Sequence, residues 1–311
     1  MNPLDQAVTD YLSIRRSLGF QLHEVETHLR SFVRFLQAEG TSCITRELAL
    51  RWATQSKDVQ PSTWAWRLAV VRRFAIWHSA TEPRTEIPPA GLLPHRYRRK
   101  PPYIYTKKEI EQLLGQTQQL LSPTGLRAHS YTTLFGLLVA TGMRLGEALN
   151  LDRPDVDLRL GILYIRRAKF GKSRYVPVHP TTADALKRYA AVRDRVFPTL
   201  TTPAFFISEH GRRIGMTMAE ETFARLSQQI GLRGPTPHRG RCPRLLDMRH
   251  VFASRTLVHW YRTGIDVERE LPKLATYLGH VHMRYTYWYL EAVPELLQLA
   301  TNRLIQREVQ R

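Results

Sequence analysis

Apolar positions recur at helical spacing through the first eighty residues. Leu22, Val25, Leu29, Phe32, Val33 and Leu36 fall on one stripe of a helix that Gly40 ends. Thr45 is placed to cap a third helix through Leu48, Ala49 and Trp52. Pro61 suits the first turn of a fourth, with Trp64, Leu68, Val71 and Ala75 on one face. The other face of that helix carries Arg67, Arg72 and Arg73, which either meet solvent or touch a phosphate backbone.

The pattern breaks between Thr81 and Tyr105. Pro83, Pro88, Pro89, Pro94, Pro101 and Pro102 interrupt regular structure, and His95-Arg96-Tyr97-Arg98-Arg99-Lys100 is a basic run among them. This texture reads as an interdomain linker, serving either as a plain connector or as a strap along a nucleic-acid backbone. Residues 1–95 then form a first, helical domain, 96–105 the linker and 106–311 a second domain.

In the second domain, Thr106 through Glu109 fits a capping box, followed by Ile110, Leu113 and Leu114. Tyr131–Ala140 is a strongly apolar helix stopped by Thr141-Gly142, and Met143–Leu149 begins another turn. Arg144 thus falls at a break between helices, in apolar surroundings that demand an anionic partner: either Glu147 or a ligand. The texture then turns β-like. Ile162–Arg167 and Arg174–Val178 are expected to pair as strands, with Pro177 marking an edge. Helices resume after Pro180, at Met216–Ile230, from Leu245 to about Arg262, from Pro272 to Gly279, and from Pro294 to the end. Gly279 stops its helix with His280 just beyond, and Tyr289 follows one short element later.

Charge narrows the class. Lys and Arg number 46 against 27 Asp and Glu, a formal net charge of +19. No basic tail absorbs that excess, so a nucleic-acid partner is expected. Cys43 and Cys242 are in no ligand spacing, so neither a disulfide framework nor a metal site is implied, and no apolar run is long enough for a bilayer. Asp5 sits where a signal peptide would have basic residues, so a cytoplasmic, nucleoid-associated protein is expected.

Four short stretches, in order, carry a family resemblance. Ala140-Thr141-Gly142-Met143-Arg144-Leu145-Gly146-Glu147 resembles the first-arginine box of the tyrosine recombinases, the phage-integrase family. Lys169-Phe170-Gly171-Lys172-Ser173-Arg174 is similar to the hairpin that carries their lysine, Asp247-Met248-Arg249-His250 to their second-arginine box, and Leu278-Gly279-His280 with Tyr289 to their C-terminal box. The resemblance implies a mainly α protein: a helical, SAM-like core-binding domain, then an α+β catalytic domain with a small antiparallel sheet, of the DNA breaking-rejoining type. It implies site-specific recombination through a covalent 3′-phosphotyrosine, without metal, ATP or other cofactor. Arg144 and Arg249 would hold the scissile phosphate, Tyr289 attack it, Lys169 protonate the leaving oxygen, with Lys172 the second lysine of the turn, and His280 hydrogen-bond the phosphate. Glu147 would support Arg144. Arg67, Arg72, Arg73, Arg96, Arg98, Arg99 and Lys100 would contact double-stranded DNA. Inverted half-sites would take a homodimer, and four protomers, alone or with sister recombinases, would meet in synapsis. The C-terminal helix would dock on a neighbouring protomer, the alternative being that it packs on its own domain.

One position departs from the family. The second-arginine box normally starts with a histidine three residues before its arginine; here that residue is Leu246, with His250 and His238 the only nearby histidines to compensate. A DNA-binding accessory protein that has lost catalysis and a type IB topoisomerase are the competing readings. If the missing histidine helps deprotonate the tyrosine, its loss costs roughly 10²–10⁴-fold in rate. Leu246→His is then expected to speed cleavage of a trapped suicide substrate, whereas an unchanged rate marks a site adapted to leucine.

Overall fold

A computed structural model describes residues 3–94, 102–166, 172–234 and 242–309. The chain separates into two compact units, Met1–Arg99 and Lys100–Arg311.

The first unit is four helices: α1 (Pro3–Ser17), α2 (His23–Ala38), α3 (Arg46–Thr54) and α4 (Pro61–His78). The α2 stripe that the spacing predicts is its centre, with Leu29, Phe32, Val33 and Leu36 fully buried against Leu68, Val71, Phe74 and Ala75 of α4. Thr45 caps α3, its hydroxyl accepting from the Leu48 amide at 3.2 Å, and Pro61 opens α4.

The second unit is built on α6 (Leu126–Thr141), which starts about a turn before the Tyr131 expected from sequence. It packs against α5 (Lys107–Gln118), α8 (Pro180–Val196) and α10 (Leu245–Arg262). Contact on several sides explains why its apolar residues show no polar face: Leu134, Phe135, Leu137 and Leu138 are all buried. Thr106 and Glu109 form the expected capping box of α5. After α7 (Leu145–Leu149), the strands β1 (Val156–Asp157), β2 (Ile162–Ile165) and β3 (Arg174–Pro177) make an antiparallel sheet in that order. Leu163 pairs with Val176 on the inner face, and Tyr164 with Tyr175 outside. Pro177 is on an edge strand, where a missing amide donor costs no ladder bond. Alternation along β3 puts Arg174 on the same inward side as Val176. α9 (Met216–Gln229) lies beyond α8 in the chain.

α10 serves two cores. Leu245, Met248 and Val251 join the main core, while Ala253 and Leu257 join a second cluster with α11 (Val267–Leu278), α12 (Arg284–Ala292) and α13 (Pro294–Val309). One expectation changes here. Pro272 lies inside α11 and does not open it. Asp266 caps the helix a turn and a half earlier, accepting from the Glu268 and Arg269 amides, so the cap outweighs the one backbone bond the proline forfeits. Of the two seats the sequence left open for the C-terminal helix, α13 in this single chain takes the one on its own unit. Leu296 is fully buried in the second cluster, Glu295 pairs with Arg262 at 2.6 Å, and Arg303 donates to the Ile265 and Gly264 carbonyls at 2.8 and 3.0 Å. No helix among the described residues is long and apolar enough to cross a membrane.

Leu296→Ala is expected to cost about 2–5 kcal/mol in urea unfolding of the full chain. A loss below about 0.5 kcal/mol, the size of an ordinary surface change, would show that α13 leaves this seat in solution.

Candidate active site

The site begins where α6 stops. Gly142 takes the left-handed conformation at φ 62°, and a Cβ there would stand 2.7 Å from the Phe252 ring of α10. Only glycine both ends this helix and lets α10 pass so close. Its carbonyl accepts from Arg249 Nη1 at 2.9 Å.

Two residues on, Arg144 is extended and starts α7, whose third residue is Glu147. The Glu147 carboxylate accepts the Arg144 backbone amide at 3.0 Å and its guanidinium at 2.7 Å. It also takes a forked pair from Arg174, at 2.8 and 3.2 Å. Burial alone would raise the Glu147 carboxyl; hydrogen bonds and charge from Arg174, with the Arg144 amide and charge, take it down to about 2. Sequence reading of Arg144 left a choice between Glu147 and an external anion. Glu147 does pair with it, yet Glu147 is shared by two guanidinium groups, so one carboxylate serves two cations.

The same arginines meet the C-terminal end of α11. Arg174 Nε donates to the Tyr277 carbonyl at 2.9 Å, Arg249 Nη2 to Leu278 at 2.6 Å and Arg144 Nη2 to Gly279 at 3.4 Å. Three successive carbonyls, among those a helix end leaves unpaired, thus receive three cations at the negative end of the helix dipole. Gly279 is at φ 68°, and a Cβ on it would come within 2.8 Å of the Arg174 guanidinium.

Arg249 is 3% exposed, and its hydrogen bonds among the described residues go to carbonyl oxygens. Burial and the neighbouring Arg144 charge lower its guanidinium to about 10. A buried cation held by neutral acceptors is short of negative charge, which gives this pocket the electrostatic character that suits an anion.

Past Gly279, the His280 amide closes back on the Ala275 carbonyl at 2.9 Å, and its Nδ1 lies 2.7 Å from the hydroxyl of fully buried Thr286. α12 then brings Tyr289, 1% exposed, with its hydroxyl 3.3 Å from His250 Nδ1 and its ring against that of His280. Leu246, 47% exposed, lines a cavity of about 820 Å³ together with Arg144, Glu147, Arg166, Arg233 and Arg244.

Five sequence-predicted residues therefore converge: Arg144, Glu147, Arg249, His280 and Tyr289, with His250 behind the tyrosine. Lys169 and His238 lie outside the described residues, as do Arg96, Arg98, Arg99 and Lys100. Lys172 is exposed just before β3. The arginine face of α4 is not the uniform free surface its spacing suggested. Arg67 is half-buried and bonds Ser56 at 3.0 Å, Arg72 is half-buried and bonds the Pro88 carbonyl at 2.8 Å, and Arg73 is exposed. Long guanidinium stems bury readily on their own fold. Arg174 is the residue sequence reasoning missed. Its signal was present: a charge on the inward parity of a strand, two residues from Val176.

Residues 104–295 match the Phage integrase family model. A putative integrase/recombinase, y4rB, of Sinorhizobium fredii is 48% identical over 311 residues, covering 99% of this chain and 98% of that protein. Tyrosine recombinase XerC of Herpetosiphon aurantiacus is 29% identical over 290 residues, covering 90% and 87%. In fold, the chain is similar to a lambda integrase dimer bound to a core site, with TM-score 0.60 at 17% identity, 90% of this chain and 96% of that one. It is also similar to the Tn1549 transposon integrase in complex with circular intermediate DNA, with TM-score 0.62 at 16% identity, covering 91% and 94%.

Glu147→Gln leaves two guanidinium groups short of charge and is expected to cost about 3–5 kcal/mol near neutral pH. The folded carboxyl titrates at about 2 against an ordinary 4.5, so its stabilisation is complete above about pH 5 and is lost as pH falls toward 2. The gap in urea midpoint between wild type and variant should narrow over that window; a constant gap would show that the carboxylate charge is not what matters.

Proposed function

The chain belongs to the phage integrase family, the tyrosine recombinases, and from that premise we propose that it is a site-specific DNA recombinase of a mobile element, cleaving and rejoining DNA through Tyr289. The observation that carries this reading is the convergence of Arg144 and Arg249 on adjacent carbonyls at the end of α11, Gly279 and Leu278, with His280 in the link that follows and Tyr289 on α12. Two guanidinium groups with donors to spare, next to a phenol, suit one backbone phosphate.

The chemistry follows from those positions. The two guanidinium groups take the non-bridging oxygens and offset the charge that grows on phosphorus. His280, held by Thr286, hydrogen-bonds the same phosphate. The Tyr289 oxygen attacks, leaving a 3′-phosphotyrosine and a free 5′ hydroxyl whose proton comes from the hairpin lysine, Lys169. The ester conserves the bond energy, so rejoining needs no ATP. The excess of 19 positive charges suits a long duplex partner, and Arg73, exposed on α4, is the α4 arginine open to its backbone. Inverted half-sites, a dimer on each site, a tetramer in synapsis and action in the cytoplasm on the nucleoid complete the reading.

Leu246 favours a second reading, an accessory DNA-binding recombinase with weak or no catalysis. One experiment separates the two. A nicked suicide duplex, carrying a site selected from random DNA by binding to the protein, is incubated with the full chain and run on a denaturing gel. The recombinase gives a covalent adduct that Tyr289→Phe abolishes and that Arg144→Ala or Arg249→Ala slows by about 10²–10³-fold. Binding without any adduct identifies the accessory protein.

A further inference from the structure

We propose that His250 is the general base of this site, taking the phenolic proton of Tyr289 in the place of the histidine that Leu246 displaces. The proposal rests on the recombinase reading above and assigns one step within it.

The argument starts from α10. Asp247 and His250 are three residues apart on one helix and so share a face. Asp247 is buried at the start of the helix, where the Arg244 amide donates to it at 2.9 Å and the Arg244 guanidinium at 3.0 Å. Its other neighbour is the His250 ring, with Nε2 3.9 Å from Oδ1. The opposite ring nitrogen, Nδ1, stands 3.3 Å from the Tyr289 hydroxyl. Trp288 and Tyr289 pack against the imidazole, with ring centroids at 5.3 and 5.4 Å. The imidazole thus has the carboxylate near one ring nitrogen and the hydroxyl near the other.

The order of these groups selects a tautomer. A carboxylate facing Nε2 favours the proton on that nitrogen, which leaves the Nδ1 lone pair directed at the phenol. That is the arrangement a base needs before it accepts a proton. Tyr289 is buried, so in this arrangement the acceptor for its proton has to come from the protein. Leu246 has no lone pair to offer, and its half-exposed side chain lines the cavity beside Arg144. His280 is already held by Thr286.

The step balances. The Oη–H bond of Tyr289 breaks and its proton goes to Nδ1 of His250. Oη bonds phosphorus, and the bond from phosphorus to the 5′ oxygen breaks, with that oxygen taking a proton from the hairpin lysine. Rejoining runs the same transfers backward, and His250 returns its proton to the tyrosine.

The test uses the full chain and the nicked suicide duplex with its selected site. His250→Asn keeps a polar group of similar reach that accepts no proton; it is expected to bind the duplex as wild type does and to form adduct about 10²–10⁴-fold more slowly. His250→Ala should be equally slow and partly restored by added imidazole. A duplex with sulfur in place of the bridging 5′ oxygen leaves without a proton, so it should not restore either variant. Leu246→His, which the sequence alone would expect to speed cleavage, is with His250 at 3.3 Å from the phenol expected to leave the wild-type rate within about threefold, since the base is already present. Wild-type speed in His250→Asn, restoration of the variants by the sulfur leaving group, or a gain of about tenfold or more in Leu246→His would each overturn the proposal. Should His250→Ala lose its thermal transition, His250→Asn decides alone. Failure of the recombinase reading looks different: wild type itself forms no adduct, or the adduct survives Tyr289→Phe.

Discussion

The C-terminal end of α11 ties the second unit together. Its last turn ends in three carbonyls that the helix cannot use, those of Tyr277, Leu278 and Gly279, and each takes a hydrogen bond from an arginine on a different part of the chain. β3, α10 and the break between α6 and α7 are pinned to one point in this way. Helix ends must find partners for their orphan carbonyls, and the negative end of the dipole makes cations the preferred ones. Glu147 completes the arrangement by bridging two of the three guanidinium groups.

That bridge leaves an imbalance. Three guanidinium groups share one carboxylate and a few carbonyls, and Arg249 is buried with carbonyl acceptors alone among the described residues. Burying charge without a counter-charge is expensive, so a fold that keeps this arrangement stores affinity for an anion. The physical constraint and the proposed function therefore meet in the same atoms. The Glu147 carboxylate and the neutral carbonyls hold the three guanidinium groups, and in the proposed function a phosphate shares its oxygens between Arg144 and Arg249.

Packing sets the accessibility of the proposed nucleophile. Tyr289 belongs to the second apolar cluster, with Leu257, Leu278, Val293 and Leu296 around it. Its ring is core and its hydroxyl is, in the proposed function, the nucleophile, as suits a side chain with an apolar body and a polar tip. α13 seals the same cluster through Leu296, so the seat of the C-terminal helix and the burial of Tyr289 are one packing event.

Much of this was legible in the sequence, because local physics wrote it. The α2 stripe, the Thr45 and Thr106 caps, the glycine stops at Gly142 and Gly279 and the edge proline Pro177 are properties of a few neighbouring residues, and each stands as its spacing implied. The boxes that hold Arg144, Arg249, His280 and Tyr289 were legible through a family resemblance, and the Lys169 box lies largely outside the described residues. Other features depend on contacts between residues far apart in the chain, which no local pattern encodes. Arg67 and Arg72 folding back on their own unit, and α13 seated on its own cluster, are of this kind; the Asp266 cap ahead of Pro272 is local, two and three residues from its donors, and was a signal passed over. The bridge from Arg174 to Glu147 spans 27 positions, and the approach of His250 to Tyr289 spans 39. Sequence determined which residues carry charge, caps and turns; tertiary structure decided which of those charges meet, because a hydrogen bond depends on distance in space and only packing sets that distance.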